Sequence, residues 1–166
     1  MSALFLVTAV GEDKPGTLNH LADITHSHQG KWLSSRVVNL DGYVACIFKV
    51  QVPQKNSQAL QERLLGLEEL QVTIHQCKPA HLVEAEPIRL SIDAEDRPGL
   101  ISDITRLLAG HGVNVNKLEC HRVSVPDAGE NVFTAEFDLM VPDNENTASI
   151  IAEIEGLQEQ MVVSQI

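Results

Sequence analysis

The hydrophobic pattern of the chain alternates between two periods. Ile88, Leu90, Ile92 and Ala94 alternate with Arg89, Ser91, Asp93 and Glu95, the two-residue period of a strand with one buried face. Beyond Pro98-Gly99 the period changes. Ile101, Ile104, Thr105 and Leu108 keep the i, i+3, i+4, i+7 spacing of an amphipathic helix. Gly110 and Gly112 end that helix, since glycine takes the left-handed conformation cheaply. Proline suits the first turn, and Asp96 stands where an N-cap carboxylate would accept a free backbone N–H. The runs 113–125 and 132–141 predict a hairpin with Phe133, Ala135, Phe137, Leu139 and Val141 on one face. Ile150, Ile151, Ile154 and Leu157 predict a second helix, and 161–166 a last short strand. The first half runs in parallel: a strand over Leu4–Val10, then a helix on Leu18, Leu21, Ala22 and Thr25. A hairpin turning at Asp41-Gly42, a helix on Leu60, Leu64 and Leu67, and a strand over 72–77 complete it.

The parallel is a duplication. Asp13-Lys14-Pro15-Gly16 recurs as Asp96-Arg97-Pro98-Gly99, 83 residues later. Phe48 and Pro53 fall against Phe137 and Pro142 at an offset of 89, and Asn56, Gly66, Leu67 and Val72 against Asn146, Gly156, Leu157 and Val162 at 90. Collinear matches along both halves mark a repeat, and the growing offset predicts a longer loop in the second copy, at 126–131. Residues 1–78 and 88–166 are expected to be two domains, with 79–87 as a linker bracketed by Pro79 and Pro87. Each half reads strand–helix–strand–strand–helix–strand. With right-handed crossovers this gives an α+β, ferredoxin-like unit, a four-stranded antiparallel sheet with both helices on one face. In the second copy the open face carries Arg89, Ser91 and Asp93 and tolerates water. In the first, Leu4, Leu6 and Val10 are apolar on one parity while Phe5, Val7 and Ala9 are apolar on the other. That pattern predicts a sheet covered on both sides, by the second domain or by another subunit.

Composition narrows the function. Of the 166 residues 43% are hydrophobic and 21% charged, the balance of an ordinary globular protein. The longest apolar run, Leu4 to Val10, is far short of a membrane span and has Gly-Glu-Asp behind it. Cys46, Cys77 and Cys120 are odd in number and widely spaced, so they predict reduced thiols in a cytoplasmic protein. Residues 1–83 hold seven Lys/Arg and seven Asp/Glu, whereas 84–166 hold five against sixteen. The whole net charge of −11 therefore lies on the second half. A surface this acidic repels phosphates and argues against direct nucleic-acid binding.

The duplicated Asp-x-Pro-Gly at the first strand-to-helix turn of a βαββαβ unit resembles the ACT domain, a small module that senses amino acids. Two such units filling nearly the whole chain resemble the glycine cleavage system transcriptional repressor family. The resemblance implies a ligand between this turn and the start of the second strand, commonly at an interface between two such domains. The matching residues are Asp96, Arg97, Gly99, Leu100 and Ile101, with Asn114 and Val115; a weaker second site would use Asp13, Gly16, Thr17 and Leu18. Glycine lets backbone approach a ligand closely, helix N-terminal N–H groups attract a carboxylate, and an Asn amide both donates and accepts. In the first copy the position matching Asn114 is expected to be Trp32, which would fill the ligand's space.

Plainer readings stand beside these. The Asp-x-Pro-Gly turns also serve as simple helix starts, and Asn114 as a strand-edge partner. His26 and His28 lack metal-binding company and read as solvated. Cys120 and His121, adjacent on a strand, point to opposite faces and form no dyad. Glu153, Glu155 and Glu159 read as a solvated helix face. No nucleophile elbow, phosphate loop or metal constellation is found, so the chain reads as no enzyme and needs no cofactor. The expectation is a regulator that binds a small amino acid, glycine by resemblance. It would repress transcription through a DNA-binding partner protein, with a homodimer possible and no membrane contact. A dissociated regulatory subunit of a metabolic enzyme and a purely structural pairing module are the other readings.

Overall fold

The structure, a computed structural model, describes residues 1–77, 85–126 and 129–166. The first unit comprises β1 (Ser2–Glu12), α1 (Thr17–Ser27), β2 (Lys31–Leu40), β3 (Tyr43–Pro53), α2 (Gln54–Leu65) and β4 (Leu70–Gln76). The second repeats the order with β5 (Ala85–Glu95), α3 (Leu100–Gly110), β6 (Asn114–Val125), β7 (Glu130–Pro142), α4 (Thr147–Glu155) and β8 (Val162–Gln165). The two compact units are Met1–Ala80 and His81–Ile166. Each holds one antiparallel four-stranded sheet, ordered β2-β3-β1-β4 and β6-β7-β5-β8. This is the ferredoxin-like α+β architecture, built twice.

One face of each sheet makes a core with its two helices. In the first unit Phe5, Val7, Ala9, Cys46, Phe48, Val50 and Val52 pack with Leu21 and Ile24 of α1 and Leu60 and Leu64 of α2. In the second, Leu90, Ile92, Phe133, Ala135, Phe137 and Leu139 pack with Leu100, Ile104 and Leu108 of α3 and Ile150 and Ile154 of α4. The buried stripe of α3 is centred one residue from the expected one: Leu100 is buried, while Ile101 and Thr105 lie at its margin. The β2–β3 turn has Asp41 at φ 48° and Gly42 at φ 81°, the pair of left-handed residues that matches strand twist.

Two local readings need correction. Residues 79–84 of the expected linker lie outside the described residues, but Ala85, Glu86 and Pro87 belong to β5, paired with Pro142, Val141 and Met140 of β7. Pro87 is tolerated because β8 pairs only with Leu90–Asp93, so no strand needs an N–H from its other side. The loop expected at 126–131 is shorter, since β7 begins at Glu130; residues 127 and 128 lie outside the described residues. Within the first unit the outer parity of β1 has no cover: Leu4 is 40% and Val10 43% exposed.

Candidate functional site

Each strand-to-helix turn is built around a left-handed glycine. Gly16 and Gly99 are the N-caps of α1 and α3, at φ 89° and 83°, and neither helix has a side-chain cap. Space around each is open: a Cβ added at either position meets no atom within 4 Å. The first N–H groups of a helix have no intrahelical partner, so each turn offers donors and positive potential beside a bare glycine. Asp96 is not the expected N-cap. Its carboxylate instead receives both contacts of the Arg122 Nε, at 2.9 and 3.1 Å, from β6. Asp13 does the same with the Asn39 amide of β2. Asn39 and Arg122 are themselves 83 residues apart, so the duplication keeps a carboxylate that ties the turn to the edge strand, β2 or β6. Sequence reasoning missed both partners, although the repeat offset alone would have paired them.

The surroundings of the turns differ. Arg97 reaches over the start of α3, donating from Nε to the Gln158 side-chain oxygen at 2.9 Å and pairing with Asp103 at 2.8 Å. Gln158 in turn donates to the Glu95 carbonyl at 2.9 Å. A latch of side chains thus crosses the second turn. At the first turn a cavity of about 370 Å³ is lined by Lys14, Gly16, Thr17, His20, Leu67 and Glu69, among others. Thr17 closes its own turn by donating to the Lys14 carbonyl at 2.8 Å, and Leu18 is 39% exposed. Leu100 is 1% exposed and its side chain belongs to the core, so only its backbone faces the turn.

Asn114 and Val115 lie elsewhere. Asn114 is across from Met140, which is across from Pro87, whereas Asp96 directly follows the other end of β5. Eight residues of strand separate these levels, about 27 Å at 3.4 Å per residue. One unit therefore presents the turn at one end of its sheet and Asn114 at the other.

A family model described as an ACT domain matches residues 3–76, and a second with the same description matches residues 88–159. The chain belongs to the ACT-domain family, with two domains in tandem. A GTP pyrophosphokinase from Myxococcus xanthus is 31% identical over 80 residues, 48% of this chain and 10% of that protein. The chain thus spans about a tenth of that curated relative's length. Among solved structures, an unknown protein from Galdieria sulphuraria aligns with a TM-score of 0.87 at 21% identity, over 99% of this chain and 98% of that one. A candidate glycine cleavage system transcriptional repressor aligns with a TM-score of 0.72 at 18% identity, over 100% and 98%. These two likenesses establish the tandem ACT fold.

Comparing the two ACT domains strand by strand corrects the expected match of Trp32 with Asn114. The register of β2 shifts between Trp32 and Ser34, and that of β6 between Val115 and Lys117. The bulges coincide at an offset of 83, so Trp32 matches Val115 and Lys31 matches Asn114. Trp32 is a packing residue: its ring stacks on Phe48 with centroids 4.2 Å apart, and its Nε1 donates to the Thr25 hydroxyl at 3.1 Å. The constant offset of 83 from Asp13/Asp96 already implies this match in the sequence.

The end of α3 nearest Asn114 carries a cluster that sequence reasoning also missed. His111, the C-cap of α3, has Nδ1 2.7 Å from a Glu145 carboxylate oxygen and Nε2 3.0 Å from one of Glu153. The Glu153 hydrogen bond, then that of Glu145, holds the imidazole pKa above its ordinary value, and His111 lowers that of Glu153. Glu153 is therefore a histidine partner as well as part of a solvated face. No group of His, Cys, Asp and Glu that could hold a metal ion occurs among the described residues. Burial pushes the Cys46 thiol up, which keeps it protonated and unreactive. No helix among the described residues is long and apolar enough to cross a membrane.

Proposed function

We propose that this tandem ACT protein is a non-enzymatic, cytoplasmic regulator that senses a small amino acid, glycine in the first instance, and represses transcription by contact with a DNA-binding protein. The observation that carries the reading is the duplicated turn, a left-handed glycine at an uncapped helix N-terminus with open space beside it. A carboxylate fits there electrostatically, and the absence of a side chain lets it come close. The repressor for which one structural relative is named supports glycine as the first ligand to test.

In the second domain the ligand would lie against Asp96, Arg97, Gly99 and the backbone of Leu100 and Ile101. Asn114 and Val115 reach such a ligand only across an interface with another copy of the chain, because about 27 Å of strand separates them within one unit. Asp13, Gly16, Thr17 and Leu18 would form the weaker second site, for which the 370 Å³ cavity supplies room.

A thermal-shift screen of the full chain against the common amino acids is the first test, since a ligand of the native state raises the melting temperature. Calorimetry then compares Asn114→Ala with Trp32→Ala. Loss of the amide leaves ligand groups unpaired and weakens binding by roughly 5- to 150-fold, whereas Trp32→Ala keeps the affinity. A screen in which no amino acid shifts the transition counts against the reading. A second reading, a regulatory module acting on an enzyme, is favoured by the match to part of a GTP pyrophosphokinase; co-purification of an enzyme rather than a DNA-binding protein would select it.

A further inference from the structure

The two domains carry opposite charge at matching places on their open sheet faces. In the first sheet, successive rows across β2, β3 and β1 on the side away from the helices read Lys31–Gln51–Leu4, Ser34–Lys49–Leu6 and Arg36–Ile47–Thr8. The last two correspond, row for row, to Lys117–Asp138–Arg89 and Glu119–Glu136–Ser91 of the second sheet. There the cations meet carboxylates within the face, Arg89 with Asp138 at 2.8 Å and Lys117 with Glu119 at 3.1 Å. In the first sheet Lys49 stands in the place of Asp138, and Arg36 in that of Glu119. The residues that β4 adds to these rows are His75 and Thr73, so Lys31, Arg36 and Lys49 share three rows with no carboxylate. Lys49 makes no ion pair among the described residues. On this face of β1 the acidic residue is Glu12, six residues beyond Leu6, or about 20 Å along the strand. We propose that this cationic face of the first ACT domain holds a small phosphate-bearing ligand, an anion supplied from outside where the second domain supplies its own carboxylates.

The face has room for such a ligand. A cavity of about 360 Å³ is lined by Leu6, Ser34, Ser35, Arg36, Ile47 and Lys49, among others, a volume within the range of small-molecule sites. Lys49 and Arg36 stand on adjacent strands one row apart, about 7 Å along the strands and about 5 Å across them. One anion is therefore within reach of both long side chains. A guanidinium fork, an ammonium and the Ser34 hydroxyl suit the three oxygens and double charge of a phosphate better than the two oxygens and single charge of a carboxylate. Leu6 and Ile47 give the organic part of the ligand an apolar floor. Charge also argues for a small ligand over a nucleic-acid strand. The −11 on the second half repels a polyanion along its length, whereas a ligand confined to the cavity feels mainly charges within the screening length of about 10 Å. The site uses none of the residues of the glycine turns and stands independently of the amino-acid reading.

Proton–nitrogen correlation spectra of the ¹⁵N-labelled full chain at about pH 8, where a phosphate monoester is a dianion, test the idea with phenyl phosphate as the probe. The amides of Ser34, Ser35, Arg36 and Lys49 should shift saturably between about 0.1 and about 20 mM. Benzoate, which has the same ring but a single charge, should bind at least about tenfold more weakly. Lys49→Gln and Arg36→Gln should each weaken phenyl phosphate by about tenfold or more, whereas Lys55→Gln, on α2, should leave it unchanged. Both side chains lie outside the core, so the rest of the spectrum should stay that of the wild type in each variant. Shifts centred on the Gly16 or Gly99 turns, benzoate binding as tightly as phenyl phosphate, an affinity indifferent to both substitutions, or no saturable shift up to about 20 mM overturns the proposal. The glycine turns are tested by other probes and other residues, so either reading can fail alone.

Discussion

His111 is held by two acceptors at once, Glu145 and Glu153. A neutral imidazole has one N–H and satisfies one of them; only the imidazolium donates to both. Its pKa in the folded protein is accordingly raised, so the contribution to stability is fully present below the unfolded value of about 6.5. It is lost as pH rises through the folded value. The lowered pKa of Glu153 acts at the other end, contributing above the ordinary carboxylate range and fading as pH falls through the folded value. The urea midpoint of the wild type, followed by far-UV circular dichroism, should fall between pH 6 and pH 8, a window set by the ordinary histidine pKa of about 6.5. His111→Gln should flatten that slope, and an unchanged slope in the variant would show that another group titrates. Gly16 and Gly99 pose a backbone question instead. An alanine has open space at either turn but must adopt a left-handed φ, at a cost of about 1–2 kcal/mol. Gly99→Ala should lower stability by that amount, measured by urea denaturation, and no loss would mean that the turn relaxes to another conformation.

At the scale of elements, α4 differs from the other three helices in having a side-chain cap. The Asn146 side-chain oxygen accepts from the Ala148 and Ser149 N–H groups, at 2.9 and 3.2 Å. Asn146→Ala should cost about 1 kcal/mol, and Asn146→Asp should restore it; chemical denaturation distinguishes the two. Its repeat counterpart, Asn56, does a different job: it lies inside α2 and donates to the His28 carbonyl at 2.8 Å, tying α2 to the end of α1. In β2, Trp32 stacks on Phe48 beside a bulge. Trp32→Ala should cost about 3 kcal/mol, the low end for removing a large aromatic from a core, because the side chain is only half-buried. As Trp32 is the single tryptophan, its fluorescence reports the first domain, and a wild-type-like stability of the variant would assign the ring to ligand contact instead of packing.

For the whole molecule the distribution of charge decides more than its total. The first half is formally neutral and the second carries −11, so the field of the chain as a whole repels phosphate. The pure protein should leave operator DNA unshifted in a gel at low salt and up to micromolar concentration. A salt-sensitive shift without a partner protein would contradict the proposed route to transcription. Duplication gave two domains of one fold but unlike surfaces, the first formally neutral and the second acidic. The physical consequence is that the two copies are free to serve different neighbours.

The fold was legible from the chain because it rests on short-range patterns. Period two at Ile88–Glu95, the turn at Asp41-Gly42, the left-handed glycine at Gly112 that ends α3, and the repeat itself are all written in the order of residues, and the structure honours each. The assembly of the site was not legible. Asp96 pairs with Arg122 rather than capping α3, and Asn114 lies a full sheet length from the turn. Those relations depend on strand register and on which end of a sheet each strand reaches. They involve residues far apart in sequence, so only the tertiary structure decides them.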